Sequence, residues 1–410
     1  MSSQQRTSWN VQSSTMAQSA HNPIRQIVDK LKLDPQATKS FISLSVGDPT
    51  IFGNFNIDSS ANDAVIRQLQ TFKHNGYPPA HGTVDARNAV ATMVTCPEAP
   101  VTADDVLLTN GCSGALDICF NVLGNPGNNI LLPRPGFSLY GSLATIRGME
   151  SKYYDLLPEE NWQIDLKHME SLIDEKTCAI LVNNPSNPCG SVYSKEHLQA
   201  ILAVAAKHHV PIIADEIYCD LVFKGNTFYS MASLTTEVPI LSVGGLAKKW
   251  LVPGWRVGWI VVHDRHHILD AVREGLLNLS QVVLGPNSVI QAALQDILHH
   301  TPETFYQETI EQLEKNTKLS MDAVSKIPGL KPVQPQGAMY MMVGIELEKF
   351  KDIGSDVEFS QKLLAEESVL CLPGECFTYP NFIRIVITPT VDRLEEAYKR
   401  MAEFCDRHTK

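Results

Sequence analysis

The sequence predicts an α/β fold with a mostly parallel sheet between two layers of helices, followed by a smaller α+β domain. Two observations support this prediction. Short apolar runs in the middle of the 410-residue chain alternate with helical patterns, as in parallel sheets. After a proline-rich junction the pattern changes to a glycine-bounded segment, a helix and two further strand-like runs.

The apolar runs have the length and composition of strands buried on both faces, and they cover 129–132, 178–182, 211–214, 239–243 and 257–262. Between the second and third runs, the spacing predicts a helix over 194–209. Ser194 can cap its first turn, and Leu198, Ile201, Leu202 and Ala205 form an apolar stripe.

Changes in composition divide the chain into four predicted segments. We expect a flexible arm over 1–20, a segment over 21–75 that packs with the small domain, a large cofactor-binding domain over 76–328, and a small domain over 329–410. The arm is rich in Ser and Gln and has only Arg6 as a basic residue. It therefore resembles a mitochondrial leader only weakly, and a cytoplasmic location is expected.

Charge and composition exclude several classes of partner. A net charge of -11 argues against nucleic acid or an anionic membrane surface. No apolar run approaches the ~20 residues of a membrane span. Nine cysteines occur without a CxxC pair, and paired histidines lack metal-ligand spacing. We therefore expect reduced thiols and no metal site.

Polar residues follow the predicted strands at the edge where parallel sheets bind ligands. Asp215 ends an apolar run, so it either caps the next helix or holds a proton on a ring nitrogen. Lys248 follows another run among small residues, and Arg256 lies in a Gly/Pro-bounded turn that suits phosphate. Upstream, Ser113 stands in a glycine-rich helix start, which can also hold phosphate. A lysine, an acid and a phosphate cup together indicate pyridoxal 5'-phosphate.

At this point the sequence resembles the class-I aminotransferases of fold type I, from about residue 20 to its end. The likeness is carried by HNPIR (21–25), SVGDP (45–49), NGY (75–77), PRPGF (133–137), NNPSNPCG (183–190), DEIY (215–218), the segment 244–259 and NFIR (381–384). The resemblance implies a large domain with a mostly parallel seven-stranded sheet between helices.

The resemblance also implies roles at the cofactor ring. Lys248 forms the Schiff base with pyridoxal phosphate and then shuttles the substrate proton. Asp215 pairs with the pyridinium nitrogen, and Tyr218 and Asn187 form hydrogen bonds with the ring oxygen. Phe137 stacks on the ring, a contact of about 0.5–1.5 kcal/mol for an aromatic pair.

Further implied roles concern the phosphate. Ser113, the Cys112 amide and Arg256 hold it, and Tyr77 reaches the phosphate of a neighbouring subunit, which implies a homodimer with shared sites. Many relatives carry hydroxyl residues where this chain has Gly245 and Ala247.

For the substrate, the resemblance implies that Arg384 binds the α-carboxylate, that Asn187 is a further substrate-binding residue, and that Gly47 allows close approach. Asn22 and Arg25 are candidates for closing over the substrate. The implied reaction is ping-pong amino transfer from L-tyrosine to 2-oxoglutarate, the first step of tyrosine catabolism. A broader aromatic or alanine aminotransferase and a lyase on the same scaffold remain alternatives. A non-catalytic protein of this fold should have lost Lys248 or Asp215, and both are present.

Overall fold

The computed structural model describes residues 9, 11–30 and 39–410. The helices in this part of the chain are α1 (Thr15–Ser19), α2 (Pro23–Val28), α3 (Ser59–Gln70), α4 (Val84–Val94), α5 (Gly111–Leu123), α6 (Leu139–Ile146), α7 (Leu166–Ser171), α8 (Lys195–His208), α9 (Asp270–Val283), α10 (Ser288–His300), α11 (Glu303–Val324), α12 (Asp356–Glu367) and α13 (Val391–His408).

The strands are β1 (Ile42–Ser43), β2 (Val106–Thr109), β3 (Asn129–Arg134), β4 (Glu150–Leu157), β5 (Gln163–Ile164), β6 (Thr177–Asn183), β7 (Ile212–Asp215), β8 (Ile240–Gly245), β9 (Gly258–His263), β10 (Leu330–Pro332), β11 (Tyr340–Ile345), β12 (Val369–Leu370), β13 (Leu372–Pro373) and β14 (Phe382–Val386).

The large sheet has the strand order β2-β9-β8-β7-β6-β3-β4-β5. Its five central strands, from β8 to β4, are parallel, whereas β9 runs antiparallel to both of its neighbours. The prediction of a mostly parallel sheet is confirmed, and the two-residue strand β5 extends the seven longer strands by one at the edge. Apolar side chains pack on both faces of this sheet, in separate clusters.

Each apolar run singled out in the sequence forms a strand, namely β3, β6, β7, β8 and β9. The predicted helix is α8, whose N-cap Ser194 accepts a hydrogen bond from the His197 amide at 3.2 Å. Leu198, Ile201 and Ala205 are fully buried against the sheet, as the apolar stripe predicts.

A second, antiparallel sheet lies towards the C-terminus, in the order β10-β11-β14-β13. The N-terminal strand β1 pairs in parallel with β12 from the same region. The predicted segment boundaries after residues 20, 75 and 328 stay predictions. Part of the predicted arm, residues 1–8 and 10, lies outside the described residues, and its described part contains α1.

The two sheets place the polar strand ends together. Asn183 ends β6 and Asp215 ends β7, and these two residues are paired in register. The first turn of α5 approaches the start of β9, and β14 brings Arg384 in from the second sheet. Of the helices that the structure describes, none is long and apolar enough to span a membrane.

Candidate active site

A cavity of about 440 Å³ opens at the carboxyl ends of β6, β7 and β8. Its lining contains most of the residues that the sequence singled out: Arg25, Gly47, Cys112, Ser113, Phe137, Asn187, Asp215, Tyr218, Lys248, Arg256 and Arg384. These residues come from both sheets and from the N-terminal segment. The structure thus brings into one place side chains that are distant along the chain.

Lys248 lies three residues beyond β8, and its amine points into the cavity. The amine donates a hydrogen bond to the Gly47 carbonyl at 2.7 Å and lies 5.6 Å from the centre of the Tyr218 ring. The Tyr340 hydroxyl also interacts with this amine, which lines the cavity. Such an amine can act as a nucleophile and as a base.

Asp215 is buried at the end of β7, with 3% of its surface exposed. Its carboxylate accepts hydrogen bonds from the Tyr140 hydroxyl at 2.7 Å, the Ile217 amide at 3.3 Å and the Cys112 thiol at 3.8 Å. All three donors are neutral. Burial raises the pKa of Asp215 above its usual value, and these hydrogen bonds offset that effect only in part.

No Lys, Arg or His in the described ranges forms an ion pair with Asp215. The Ile217 contact matches the capping role that the sequence left open, yet no helix follows, because 216–220 forms a turn. The carboxylate faces the cavity instead. A buried acid surrounded by neutral donors suits a cationic N–H on a ligand.

The N-terminus of α5 forms one end of the cavity. Its N-cap residue, Asn110, makes no side-chain capping hydrogen bond, so amides of the first turn stay available. Ser113 lies in this turn and lines the cavity with Cys112. Arg256 spans the turn from the other side, donating to the Pro253 carbonyl at 3.0 Å and the Asn110 carbonyl at 3.3 Å. Free amides, a hydroxyl and a guanidinium are the donors that a phosphate needs.

Two glycines allow this close approach. A Cβ on Gly258 would lie 2.4 Å from the Gly111 carbonyl carbon and 2.5 Å from the Cys112 nitrogen. Gly111 itself has a φ of +74°, and a Cβ there would lie 2.8 Å from the Arg256 guanidinium. A larger residue at position 258 would push the first turn of α5 away from the phosphate site, and one at position 111 would push Arg256 away from it.

Arg384 is buried on β14 with 3% of its surface exposed. Its guanidinium donates to the Asn187 side-chain oxygen at 3.0 Å and to the Ser45 carbonyl at 2.5 Å. Its Nε has no acceptor among the described residues, and no carboxylate of that part of the chain pairs with it. Burial lowers the pKa of Arg384. A buried cation that lacks an acid suits an anionic ligand.

Of the other residues from the sequence analysis, Phe137 and Arg25 line the cavity, whereas Asn22 and Tyr77 do not. Phe137 packs its ring edge-to-face on Tyr140, with centroids 5.6 Å apart. Asn22 caps α2 by accepting from the Ile24 and Arg25 amides, and Arg25 pairs with Asp29 at 3.4 Å. Tyr77 is 92% exposed and does not line the cavity.

Sequence reasoning missed two tyrosines of the cavity wall. Tyr140, on α6, donates to the buried carboxylate of Asp215. Tyr340, the first residue of β11, lies with its hydroxyl 2.8 Å from that of Tyr218 and with its ring 4.4 Å from the Arg384 guanidinium. Tyr140 is the second residue of α6, and no local pattern in the sequence marks it as a site residue.

Comparison with known proteins places this geometry in a family. The family model for aminotransferase class I and II matches residues 39–401. Tyrosine aminotransferase from Mus musculus is 56% identical over 401 residues, which cover 98% of this chain and 88% of that protein.

Solved structures give the same result. Tyrosine aminotransferase from Leishmania infantum superposes with a TM-score of 0.95 at 35% identity, over 98% of this chain and 100% of that chain. Alanine aminotransferase from Pyrococcus furiosus superposes with a TM-score of 0.90 at 30% identity, over 97% and 100%. The chain therefore belongs to the class I and II aminotransferases, the family with which its cavity, lysine and unpaired buried charges agree.

Proposed function

We propose that the protein transfers the amino group of L-tyrosine to 2-oxoglutarate, with pyridoxal 5'-phosphate as its cofactor. The products are 4-hydroxyphenylpyruvate and L-glutamate, and the reaction would begin the breakdown of tyrosine. One observation carries the proposal. The buried acid Asp215 and the buried arginine Arg384 face one cavity with Lys248, and neither forms an ion pair with a side chain of the described ranges.

The residues fit this cofactor at its phosphate and at its ring. The uncapped first turn of α5, the Ser113 hydroxyl and Arg256 would hold the phosphate. Asp215 would accept the ring N–H, because its carboxylate has only neutral donors around it. When bound there, pyridoxal phosphate supplies an electron sink for the charge that develops as the substrate loses its Cα proton.

The protein side chains orient the substrate and move its proton. Arg384 binds the α-carboxylate through the terminal N–H groups that its bonds to Asn187 and Ser45 leave unused. Because Asn187 turns its oxygen to Arg384, its amide nitrogen is left to donate into the cavity. Lys248 would hold the cofactor through its amine, and the same amine would accept and carry the proton that the substrate Cα loses. Tyr218 would donate a hydrogen bond from its hydroxyl to the ring oxygen of the cofactor.

The choice of L-tyrosine rests on relatives that carry the name tyrosine aminotransferase at up to 56% identity. A broader aromatic or alanine aminotransferase is the second candidate, favoured by the close superposition on an alanine aminotransferase. A lyase would use the same residues. For closure over the substrate, Arg25 remains a proposal, supported by its place in the cavity wall, and Asn22 acts through the α2 cap.

A homodimer with shared sites completes the proposal. Exposed apolar side chains occur on two segments that lie side by side: Leu69, Phe72, Tyr77, Val282, Val283 and Leu284. The segments touch where the Ser288 hydroxyl bonds the His74 carbonyl, and where Gly285 packs on Ala80. An apolar patch of this kind marks a protein interface. Tyr77 would reach from this patch to the partner's phosphate.

A cytoplasmic location is proposed because all nine cysteines are free thiols, as is usual in a reducing compartment. Neither nucleic acid nor a membrane surface is expected as a partner, given the net charge of -11. The working partners are then a small amino acid and a 2-oxo acid.

Visible absorbance tests the function directly. L-Tyrosine added without a 2-oxo acid should bleach the yellow band of the purified, cofactor-loaded protein, and 2-oxoglutarate should restore it. L-Alanine at the same concentration serves as the comparison and separates a tyrosine enzyme from a broad one. Release of ammonia instead of a restorable band would indicate a lyase. A protein that takes up no pyridoxal phosphate would contradict the proposal altogether.

A further inference from the structure

Tyr340 stands between the two halves of the candidate site, although no sequence signal pointed to it. Its hydroxyl lies 2.8 Å from the Tyr218 hydroxyl, and the two rings meet edge-to-face at 5.8 Å and 82°. Both tyrosines are at least 97% buried. In such surroundings a hydroxyl must find a hydrogen-bond partner, so this one bond fixes the O–H of the tyrosine that donates and the position of the oxygen that accepts.

The ring of Tyr340 serves the other half of the site. The Arg384 guanidinium lies over two aromatic rings, 4.4 Å from the centre of Tyr340 and 4.9 Å from the centre of Phe377. Tyr340 and Arg384 can meet because β11 and β14 pair in a register that sets Tyr340 opposite Val386 and Met342 opposite Arg384. All four side chains therefore point to one face of the sheet. Both rings thus make cation–π contacts with the guanidinium, which favour its position.

Tyr340 is also packed against the lysine end of the cavity. A Cβ on Gly47 would come within 2.4 Å of the Tyr340 hydroxyl, so this oxygen rests on the Gly47 backbone, whose carbonyl accepts from Lys248. Burial alone would raise the pKa of Tyr340, but the Lys248 and Arg384 cations outweigh it and lower the pKa. The pKa of Tyr218 is raised by burial and by Tyr340 itself.

We propose that Tyr340 is a positioning residue that couples the proton-handling half of the site to its carboxylate-binding half. Its hydroxyl orients Tyr218 beside Lys248, and its ring holds Arg384 in place for a substrate carboxylate. This inference rests on the proposed transamination for its kinetic readout, but not for its binding readout.

A double-mutant cycle tests whether the Tyr340 hydroxyl acts through Tyr218. Tyr340→Phe should lower kcat roughly tenfold, the effect of one lost hydrogen bond, while KM for the amino acid changes little. Because Tyr340 acts through Tyr218, the double variant Tyr218→Phe/Tyr340→Phe should be no slower than Tyr218→Phe alone. Additive losses in the double variant, or an unchanged kcat in Tyr340→Phe, would overturn this half of the proposal.

The role of the Tyr340 ring is tested by calorimetry on the cofactor-free protein. The measured quantity is the affinity for glutarate, an unreactive dicarboxylate. Tyr340→Phe keeps the ring and should bind glutarate as the parent protein does, whereas Tyr340→Leu should bind it at least roughly tenfold more weakly. Equal affinity in Tyr340→Leu would overturn the ring's role. Since this measurement needs no turnover, it stays decisive even if L-tyrosine is not the substrate. Thermal unfolding of each variant confirms that it folds.

Discussion

Arg384 and Asp215 are two opposite charges that are buried in one cavity without forming an ion pair in the described chain. Burying an unpaired charge costs free energy, and proteins accept that cost mainly where a ligand provides the missing partner. The two buried charges therefore indicate the chemistry of the ligand. It needs a cationic N–H to meet Asp215 at one end of the cavity and a carboxylate to meet Arg384 at the other.

Replacing Arg384 should separate substrate binding from folding. Arg384→Ala is expected to reduce kcat/KM for the amino acid by a factor equivalent to about 2–5 kcal/mol, since the substrate carboxylate would lose its buried cationic partner. Steady-state kinetics with L-tyrosine and with 2-oxoglutarate measures the loss. The exposed Arg393→Ala on α13 is the matched control and should behave as the parent. Near-normal kinetics in Arg384→Ala would place the carboxylate clamp elsewhere.

Glu216 makes stability depend on pH. Its side chain faces a second cavity of about 260 Å³, and burial raises its pKa from 4.5 to about 7. Between these two values the folded protein holds a proton that the unfolded chain has released. The free energy of unfolding should therefore fall as the pH rises through this window, by about 3 kcal/mol in total.

Urea unfolding at several pH values checks this expectation. Glu216→Gln cannot titrate, so its stability should fall less than that of the parent protein between pH 4.5 and 7. The exposed Glu237→Gln should leave the parent's pH profile unchanged. Identical profiles for Glu216→Gln and the parent would show that Glu216 is not protonated in the folded state at these pH values.

At the scale of elements, the contact between α5 and β9 determines the shape of the phosphate cup. Gly258→Ala would place a methyl group 2.5 Å from the Cys112 nitrogen, so the first turn of α5 must move. We expect its affinity for pyridoxal phosphate to fall by roughly tenfold or more, measured by fluorescence titration of the cofactor-free protein. Gly254→Ala, four residues earlier with open space around it, should bind normally. Equal affinities would show that the helix start can shift without loss.

The elements differ in how far the sequence predicts them. Local patterns predict the strands β6, β7 and β8 and the helix α8. The strands appear as short apolar runs and the helix as a capped apolar stripe, and both patterns involve only residues close together in the sequence. Asp215, Lys248 and Arg256 follow from their places just after such runs. The antiparallel direction of β9 relative to β8 could not be predicted, because an apolar run is compatible with a strand in either direction.

Two further site residues, Tyr340 and Tyr140, could not be predicted because their roles depend on tertiary contacts. Tyr340 enters the site only through the register of β11 with β14, and register depends on tertiary pairing. Tyr140 reads in the sequence as an ordinary aromatic residue of a helix, and only its 2.7 Å contact with Asp215 distinguishes it. The family resemblance supplied the roles of Arg384 and Tyr77, which no local pattern indicates.

At the scale of the whole molecule, the apolar patch around Tyr77 predicts the state of association. Val282→Asp introduces a charge into this patch, where Val282 is 79% exposed in the single chain, and should convert a dimer into monomers. Sedimentation velocity at micromolar concentration measures the change. Ile268→Asp, at an exposed apolar residue outside the patch, should remain dimeric. A dimeric Val282→Asp would place the interface on another surface.

The hydrogen bond between Arg384 and the Ser45 carbonyl joins residues 339 positions apart, and that between Lys248 and Gly47 joins residues 201 apart. Contacts this distant along a chain form slowly in folding, because the entropy of closing a long loop must be overcome before the contact is made. The carboxylate-binding half of the cavity should thus be among the last parts to assemble. During synthesis the growing chain cannot hold a substrate until 382–386 has been made, and in refolding the return of substrate binding marks the molecules that have completed the entire structure.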